Sequence, residues 1–120
     1  MIHTLIFDSD LIFIDDFTKF LKKHNSIKLT GTANNGVDAI KLFSKHLPEL
    51  VVLDFDLFML DGLFIIREII QISPSVKIIL TAVSISKITL KTISKFSNVI
   101  ILYKPFTSKM FLEKFDKCNL

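Results

Sequence analysis

Leu50-Val51-Val52-Leu53-Asp54-Phe55-Asp56-Leu57-Phe58-Met59-Leu60-Asp61-Gly62 runs from an apolar stretch into a carboxylate, then through a loop to another Asp and a glycine. Leu50 to Leu53 is apolar throughout, with no polar alternation, which marks a strand covered on both faces and hence a parallel sheet. Asp61-Gly62 reads as a turn and a helix start. Gly62 to Ile72 follows with helical period, Leu63, Ile66, Ile69 and Ile70 facing inward, and Ser73-Pro74 closes it.

The same strand-then-helix grammar extends in both directions. Further β-rich runs are Ile2 to Phe7, Ile27 to Ala33, Val76 to Thr81 and Val99 to Tyr103. Between them Leu11, Ile14, Phe17 and Leu21 trace one helical stripe, and Val37, Ile40, Leu42 and Phe43 trace another after the turn Asn34-Asn35-Gly36. Ser84 to Lys95 gives the fourth helix and Ser108 to Lys117 the fifth, with Thr107 as N-cap. Strand-helix alternation with short right-handed crossovers predicts one α/β domain over residues 1–120, a doubly wound three-layer sandwich. Ile6-Phe7-Asp8-Ser9-Asp10-Leu11 and Val52-Leu53-Asp54-Phe55-Asp56-Leu57 share an apolar strand ending in Asp-x-Asp, but their flanking helices do not match, so this is not a duplication.

Composition narrows the class. The chain has 120 residues, 50% hydrophobic and 22% charged, which suits one hydrophobic core and excludes both a multi-domain enzyme and a disordered tail. No apolar run approaches the roughly 18 residues of a spanning helix. The N-terminus has no signal-peptide pattern, and a cytoplasmic protein is expected. The single Cys118, near the C-terminus, has no disulfide or metal partner at useful spacing and reads as a frayed terminal thiol. His3, His24 and His46 have no such partner either and read as structural. Residues 1–76 carry 7 Lys/Arg against 10 Asp/Glu, net −3, whereas residues 77–120 carry 8 Lys against Glu113 and Asp116, net +6. Those lysines are spaced as the solvated faces of two helices, and no reading motif accompanies them, so direct nucleic-acid binding by this domain alone is not expected.

Ligands of open parallel sheets bind outside the carboxyl ends of the strands, where strand order reverses. Asp8 closes the first run and Asp54 the third; Thr81-Ala82 ends the fourth and Lys104-Pro105 the fifth. Clustered carboxylates at such an edge suit Mg²⁺, which is held by one or two carboxylates together with phosphate oxygens and waters. A Thr hydroxyl and a Lys ammonium aimed at the same place neutralise phosphoryl oxygens. Since a carboxylate can itself be the nucleophile, the economical chemistry is an aspartyl-phosphate.

The acidic Phe7-Asp8-Ser9-Asp10, the segment Asp54 to Gly62, the pair Thr81-Ala82 and the triplet Lys104-Pro105-Phe106 resemble, in order and spacing along the whole chain, the receiver domain of two-component response regulators. The resemblance implies a five-stranded sheet in the order 2-1-3-4-5 with five helices, a cis Lys104-Pro105 bond, and Mg²⁺-dependent phosphorylation of Asp54 by a histidine kinase or phosphotransfer protein. By the same resemblance Asp8, Asp54 and the backbone carbonyl of Asp56 hold the metal, while Thr81, Ala82 and Lys104 contact the phosphoryl group. Thr81 and the strand-five position Ile101 form the switch, which presents helix four, strand five and helix five to a downstream protein, a fused output domain or a second copy as a homodimer. Such a domain is not an enzyme towards a separate substrate: it assists only its own phosphorylation and dephosphorylation.

The chain departs from that pattern at identifiable places. Ser9 stands at the second acidic position, so one carboxylate is missing; Ser9 itself or Asp10 is left to take its place, although Asp10 reads better as the N-cap of the first helix. Ile101 stands at the aromatic switch position and has no ring to swing. Phe58 replaces a proline, and Ser97-Asn98-Val99 replaces a Gly-containing turn. Phe58, Met59, Ile85, Ile88 and Ile101 would make an apolar partner patch if exposed together. The chain starts just before strand one and ends with helix five, which fits a stand-alone receiver or one excised from a longer regulator. Three alternatives compete. A pseudo-receiver acting by phosphorylation-independent contact is favoured by Ser9 and Ile101 and opposed by Asp54, Thr81 and Lys104. A haloacid-dehalogenase-like phosphatase would use Asp8-Ser9-Asp10, but Leu11-Ile12 replaces its Gly-Thr. A flavin module lacks its phosphate loop after strand one.

Overall fold

The structure is a computed structural model that describes residues 1–57 and 59–120. Its elements are β1 (Ile2–Phe7), α1 (Leu11–Lys22), β2 (Ile27–Ala33), α2 (Gly36–His46), β3 (Leu50–Asp54), α3 (Gly62–Ile72), β4 (Lys77–Ala82), α4 (Lys87–Ile93), β5 (Val99–Tyr103) and α5 (Ser108–Lys117). The strands form one sheet in the order β2-β1-β3-β4-β5, every adjacent pair parallel. This is the topology the resemblance implies.

Strand alternation splits the apolar residues between two cores. Leu5, Phe7, Val51, Leu53, Ile78 and Leu80 face α2 and α3, whose Phe43, Ile65, Ile66 and Ile69 complete that layer. Ile6, Leu50, Val52 and Ile79 face the other way, against Phe17 and Leu21 of α1 and Phe111 of α5. Each such large side chain, fully buried, contributes roughly 1.5–3 kcal/mol, so both faces of the sheet carry weight.

The helices begin where short polar side chains satisfy open backbone N–H groups. Asp10 accepts from the N–H of Ile12 and Phe13, Asn35 from Asp38, Asp61 from Leu63 and Phe64, and Thr107 from Met110. At the start of α3 only glycine fits. A Cβ on Gly62 would lie 2.7 Å from Cδ1 of Phe55 and 2.8 Å from its carbonyl oxygen, because Phe55, just past β3, lies against the helix end.

Several details differ from expectation. β3 extends to Asp54, and β4 is displaced by one residue from Val76–Thr81 because its pairing with β3 starts at Lys77 and Leu50. α4 is much shorter than Ser84–Lys95: Ser86 caps it by accepting from Thr89 N–H, leaving Val83 to Ile85 in the preceding loop. Leu11, in the open first turn of α1, is 62% exposed, so the buried stripe starts at Ile14. Val37 is likewise exposed, and in α3 Ile65 is buried more deeply than Leu63 or Ile70. Cys118 is not a frayed thiol. It is 2% exposed within the α1/α5 core, its N–H donates to the Phe115 carbonyl, and its Sγ lies 3.4 Å from the Lys114 carbonyl. Ile85 and Ile101 pack against the α2/α3 core while Ile88 and Met59 are exposed, so these residues do not make one apolar patch; Phe58 lies outside the described residues. No helix among the described residues is long and apolar enough to cross a membrane.

Candidate functional site

Strand order reverses between β1 and β3, which lie side by side with Phe7 paired to Leu53. The residues following that pair are Asp8 and Asp54, so the fold delivers two carboxylates to one sheet edge. The backbone tethers both. Asp8 N–H donates to the Ala33 carbonyl at 3.0 Å, and Phe55 N–H donates to the Thr81 carbonyl at 2.8 Å, extending the pairing past the strand ends.

Asp8 is 2% exposed and fully engaged. Its Oδ1 accepts from Asp10 N–H at 2.8 Å, and its Oδ2 lies 2.7 Å from Lys104 Nζ. Asp54, 9% exposed, is less well compensated: its Oδ1 accepts a longer bond from Asp56 N–H, 3.3 Å, and lies 4.0 Å from the same ammonium. The Asp54 carboxyl is accordingly pushed up from 3.8 to about 6, first by burial and next by the like charge of Asp8. Lys104 and the Asp56 N–H oppose that rise without cancelling it, and the Asp56 carboxylate adds to it.

β4 and β5 complete the edge. Thr81 pairs with Asp54 across the sheet and is wholly buried, its hydroxyl donating to the Leu53 carbonyl over a long 3.4 Å. Ala82 is buried too, and its carbonyl accepts from Lys104 N–H at 2.7 Å, which anchors the lysine backbone where β5 ends. The Lys104-Pro105 bond is cis, as the resemblance implies.

Asp8, Asp54, Thr81, Ala82 and Lys104 therefore converge as their strand-end positions predict. Asp56, in the loop after β3, is exposed. Asp10 spends its Oδ1 on the helix N–H groups of Ile12 and Phe13, the N-cap role read from the sequence. Ser9 is exposed beside Asp8, and Ile101 is half-buried against the α2/α3 core. One contributor was not read from the sequence: the ring of Phe13, in α1, lies with its centroid 4.4 Å from Lys104 Nζ. An aromatic one helical turn before Phe17 is its only sequence signal.

The donor set suits one kind of metal. Asp8 and Asp54, both facing the Lys104 ammonium, offer the hard carboxylate oxygens that Mg²⁺ takes together with waters and phosphoryl oxygens. Among the described residues no group of three or more His, Cys, Asp or Glu side chains is arranged as a cage.

Comparison with known proteins agrees with this geometry. The family model described as "Response regulator receiver domain" matches residues 4–116. The chain is 30% identical over 118 residues to the chemotaxis protein CheY of Listeria monocytogenes, covering 98% of each, and 27% identical over 118 residues to that of Bacillus subtilis, again covering 98% of each. In structure it is similar to a chain of the CheX-CheY-BeF3-Mg complex of Borrelia burgdorferi, with a TM-score of 0.89 at 16% identity, covering 99% of this chain and 90% of that one. The chain belongs to the response regulator receiver domain family and is of the CheY type.

Proposed function

We propose that the protein takes a phosphoryl group onto Asp54 from a histidine kinase, a phosphotransfer protein or a small acyl phosphate, and signals through altered protein contacts. The observation that carries this reading is the lysine ammonium shared unequally by two buried carboxylates. Asp8 takes the close contact, leaving Asp54 the freer nucleophile, its backbone paired across the sheet with Thr81.

In the step itself an Asp54 carboxylate oxygen forms a bond to phosphorus as the bond from phosphorus to the donor's nitrogen or oxygen breaks. The leaving group departs with that electron pair and is protonated from solvent. Mg²⁺, held by Asp8, Asp54 and the Asp56 carbonyl, supplies charge neutralisation for the phosphoryl oxygens. The attacking oxygen must be ionised, and a carboxyl at about 6 is mostly so at neutral pH. Lys104 compensates charge on the product, and the Thr81 hydroxyl, whose bond to the Leu53 carbonyl is a long 3.4 Å, turns to donate to a phosphoryl oxygen. The protein is then a phosphoacceptor that assists only its own phosphorylation and dephosphorylation, working in the cytoplasm.

Output runs through α4, β5 and α5, to a partner protein, a fused output domain or a second copy. Ile88 of α4 is 82% exposed, and Tyr103 of β5 and Met110 of α5 are exposed too, which supports a surface able to take a partner. With Ile101 an aliphatic side chain packed against the α2/α3 core, the movement falls to Thr81 and the β4–α4 loop rather than to a swinging ring.

Intact-protein mass after incubation with acetyl phosphate tests the reading, with and without Mg²⁺, on the wild type and on Asp54→Ala. A Mg²⁺-dependent gain of one phosphoryl group that the variant loses supports it. No gain, with no Mg²⁺ binding in a direct titration, overturns it in favour of phosphorylation-independent contact.

A further inference from the structure

Lys104 has a long, flexible side chain, and its head is held by a close ion pair with Asp8 at 2.7 Å and a looser one with Asp54 at 4.0 Å. The other restraint is aromatic. The Phe13 centroid lies 4.4 Å from Nζ, within the range where the ring quadrupole attracts a cation. That ring is itself fixed, stacked on Phe17 at 5.3 Å and 22° and meeting Phe106 edge-on at 5.9 Å and 74°. Phe106 in turn edges Phe17 at 5.9 Å, so three rings brace one another between α1 and the loop after β5. A cleft of about 210 Å³ lined by Asp10, Phe13, Lys104, Pro105 and Phe106 opens beside the ammonium, and the Phe13 ring forms part of its wall.

We propose that Phe13 is a positioning residue for Lys104: its ring holds the ammonium against the Asp8–Asp54 pair and keeps it there when a phosphoryl group arrives on Asp54. The proposal rests on the reading of Asp54 as phosphoacceptor for its functional consequence, though not for the contact itself. On phosphorylation the ammonium must share itself between Asp8 and the new phosphoryl oxygens. An uncharged, attractive ring face lets it shift between them without competing for its charge, which a third carboxylate would not. Leucine would fill similar space with no quadrupole, and the cleft would give water access to the lysine head.

The test compares Phe13→Leu, Phe13→Tyr and wild type, each also in a Lys104→Met background. In the wild type and Phe13→Tyr, NMR should find the Lys104 ε-methylene protons moved upfield by the ring, and in Phe13→Leu that displacement should vanish. The initial rate of phosphoryl uptake from acetyl phosphate should fall roughly three- to tenfold in Phe13→Leu and stay within about twofold of wild type in Phe13→Tyr. In the Lys104→Met background the Leu substitution should cost nothing further, because the ring then has no cation to hold. A loss of fold or packing would instead lower the rate equally in both backgrounds and overturn the proposal. So would the absence of any ring displacement at Lys104 in the wild type, or a Phe13→Leu rate equal to wild type. If the wild type takes up no phosphoryl group at all, the reading of Asp54 falls while the ring displacement still decides whether Phe13 positions the lysine.

Discussion

Lys104 Nζ lies 2.7 Å from Asp8 Oδ2, and this ion pair, across the edge of the sheet, is the closest charge contact of the site. Asp54, the other claimant to the ammonium, is 1.3 Å farther from it, 4.0 Å against 2.7 Å. The division is unequal by construction: Lys104 is anchored through its backbone to Ala82, the last residue of β4, and its side chain reaches past Asp54, at the end of the central strand β3, to the carboxylate that follows β1. One acidic group is thereby neutralised in place and the other is left less compensated.

Breaking that pair from one side should cost more than removing it altogether. Lys104→Met leaves the buried Asp8 carboxylate without its cation, the Asp10 N–H bond remaining, and loses about 3–5 kcal/mol of folding stability at neutral pH. Asp8→Asn combined with Lys104→Met removes both charges, and should recover more than half of the loss. Urea unfolding of the single and double variants measures the difference; equal losses would mean that the pair is solvated in solution.

Asp54 makes stability depend on pH in the opposite sense to an ordinary salt-bridged acid. Its carboxyl is weaker in the folded chain, about 6, than its ordinary 3.8, so the native state binds the proton more tightly than the unfolded state. The group's contribution is therefore most favourable below 3.8 and is lost as pH rises from there through 6. At about pH 7.5 the shift corresponds to roughly 2–3 kcal/mol of destabilisation. Asp54→Asn should accordingly be more stable than wild type by about that amount at pH 7.5 and indistinguishable from it near pH 4. Denaturant midpoints across that range are the measurement, and a constant gap at all pH values would rule out titration of Asp54 as the cause. Mg²⁺ should narrow the gap at pH 7.5 and leave pH 4 unchanged, since a carboxylate must be ionised to bind it.

What the sequence displayed and what it hid follow from how local each signal is. Asp8, Asp54, Thr81 and Lys104 could be placed together because each ends an apolar run, and parallel topology brings strand ends to one edge. The length of α4 could not: Ser84, Ser86 and Ser94 are all short polar residues able to cap, and only the packed structure selects Ser86 and Ser94. Cys118 looked like a fraying end because nothing near it in sequence says that the last turn of α5 closes over the core. Phe13 reads as one more ring in an apolar stripe, and its place beside Lys104 exists only once α1 and the β5–α5 connection are packed together.

Asn98 shows the same kind of hidden work. It sits where related domains have a glycine-containing turn, and its Nδ2 donates at 2.7 Å to both the Pro74 and Val76 carbonyls, tying the entry of β5 to the turn before β4. Asn98→Ala leaves those two acceptors without their donor, and should lose about 1–3 kcal/mol. Asn98→Gly should lose as much despite restoring the small residue, because the amide is what the turn lacks. Thermal unfolding of both variants checks this; a Gly variant as stable as wild type would show that backbone freedom, not the side chain, governs the turn.

Cys118 gives the last expectation. Burial pushes its thiol up from 9.0, opposed only in part by the charge of Lys77, so the folded protein presents a protonated thiol inside the α1/α5 core. Since the thiolate is the reactive form, a disulfide reagent should label the native protein far more slowly than the unfolded chain, at a rate that follows opening of the final turn. Cys118→Ser places a hydroxyl where the sulfur packs, and should cost about 1–3 kcal/mol, whereas Cys118→Ala should cost less because it buries no polar atom. If instead the native thiol reacts as fast as the unfolded one, the last turn of α5 and its Cys118 cap are open in solution and the core they close is smaller by that turn.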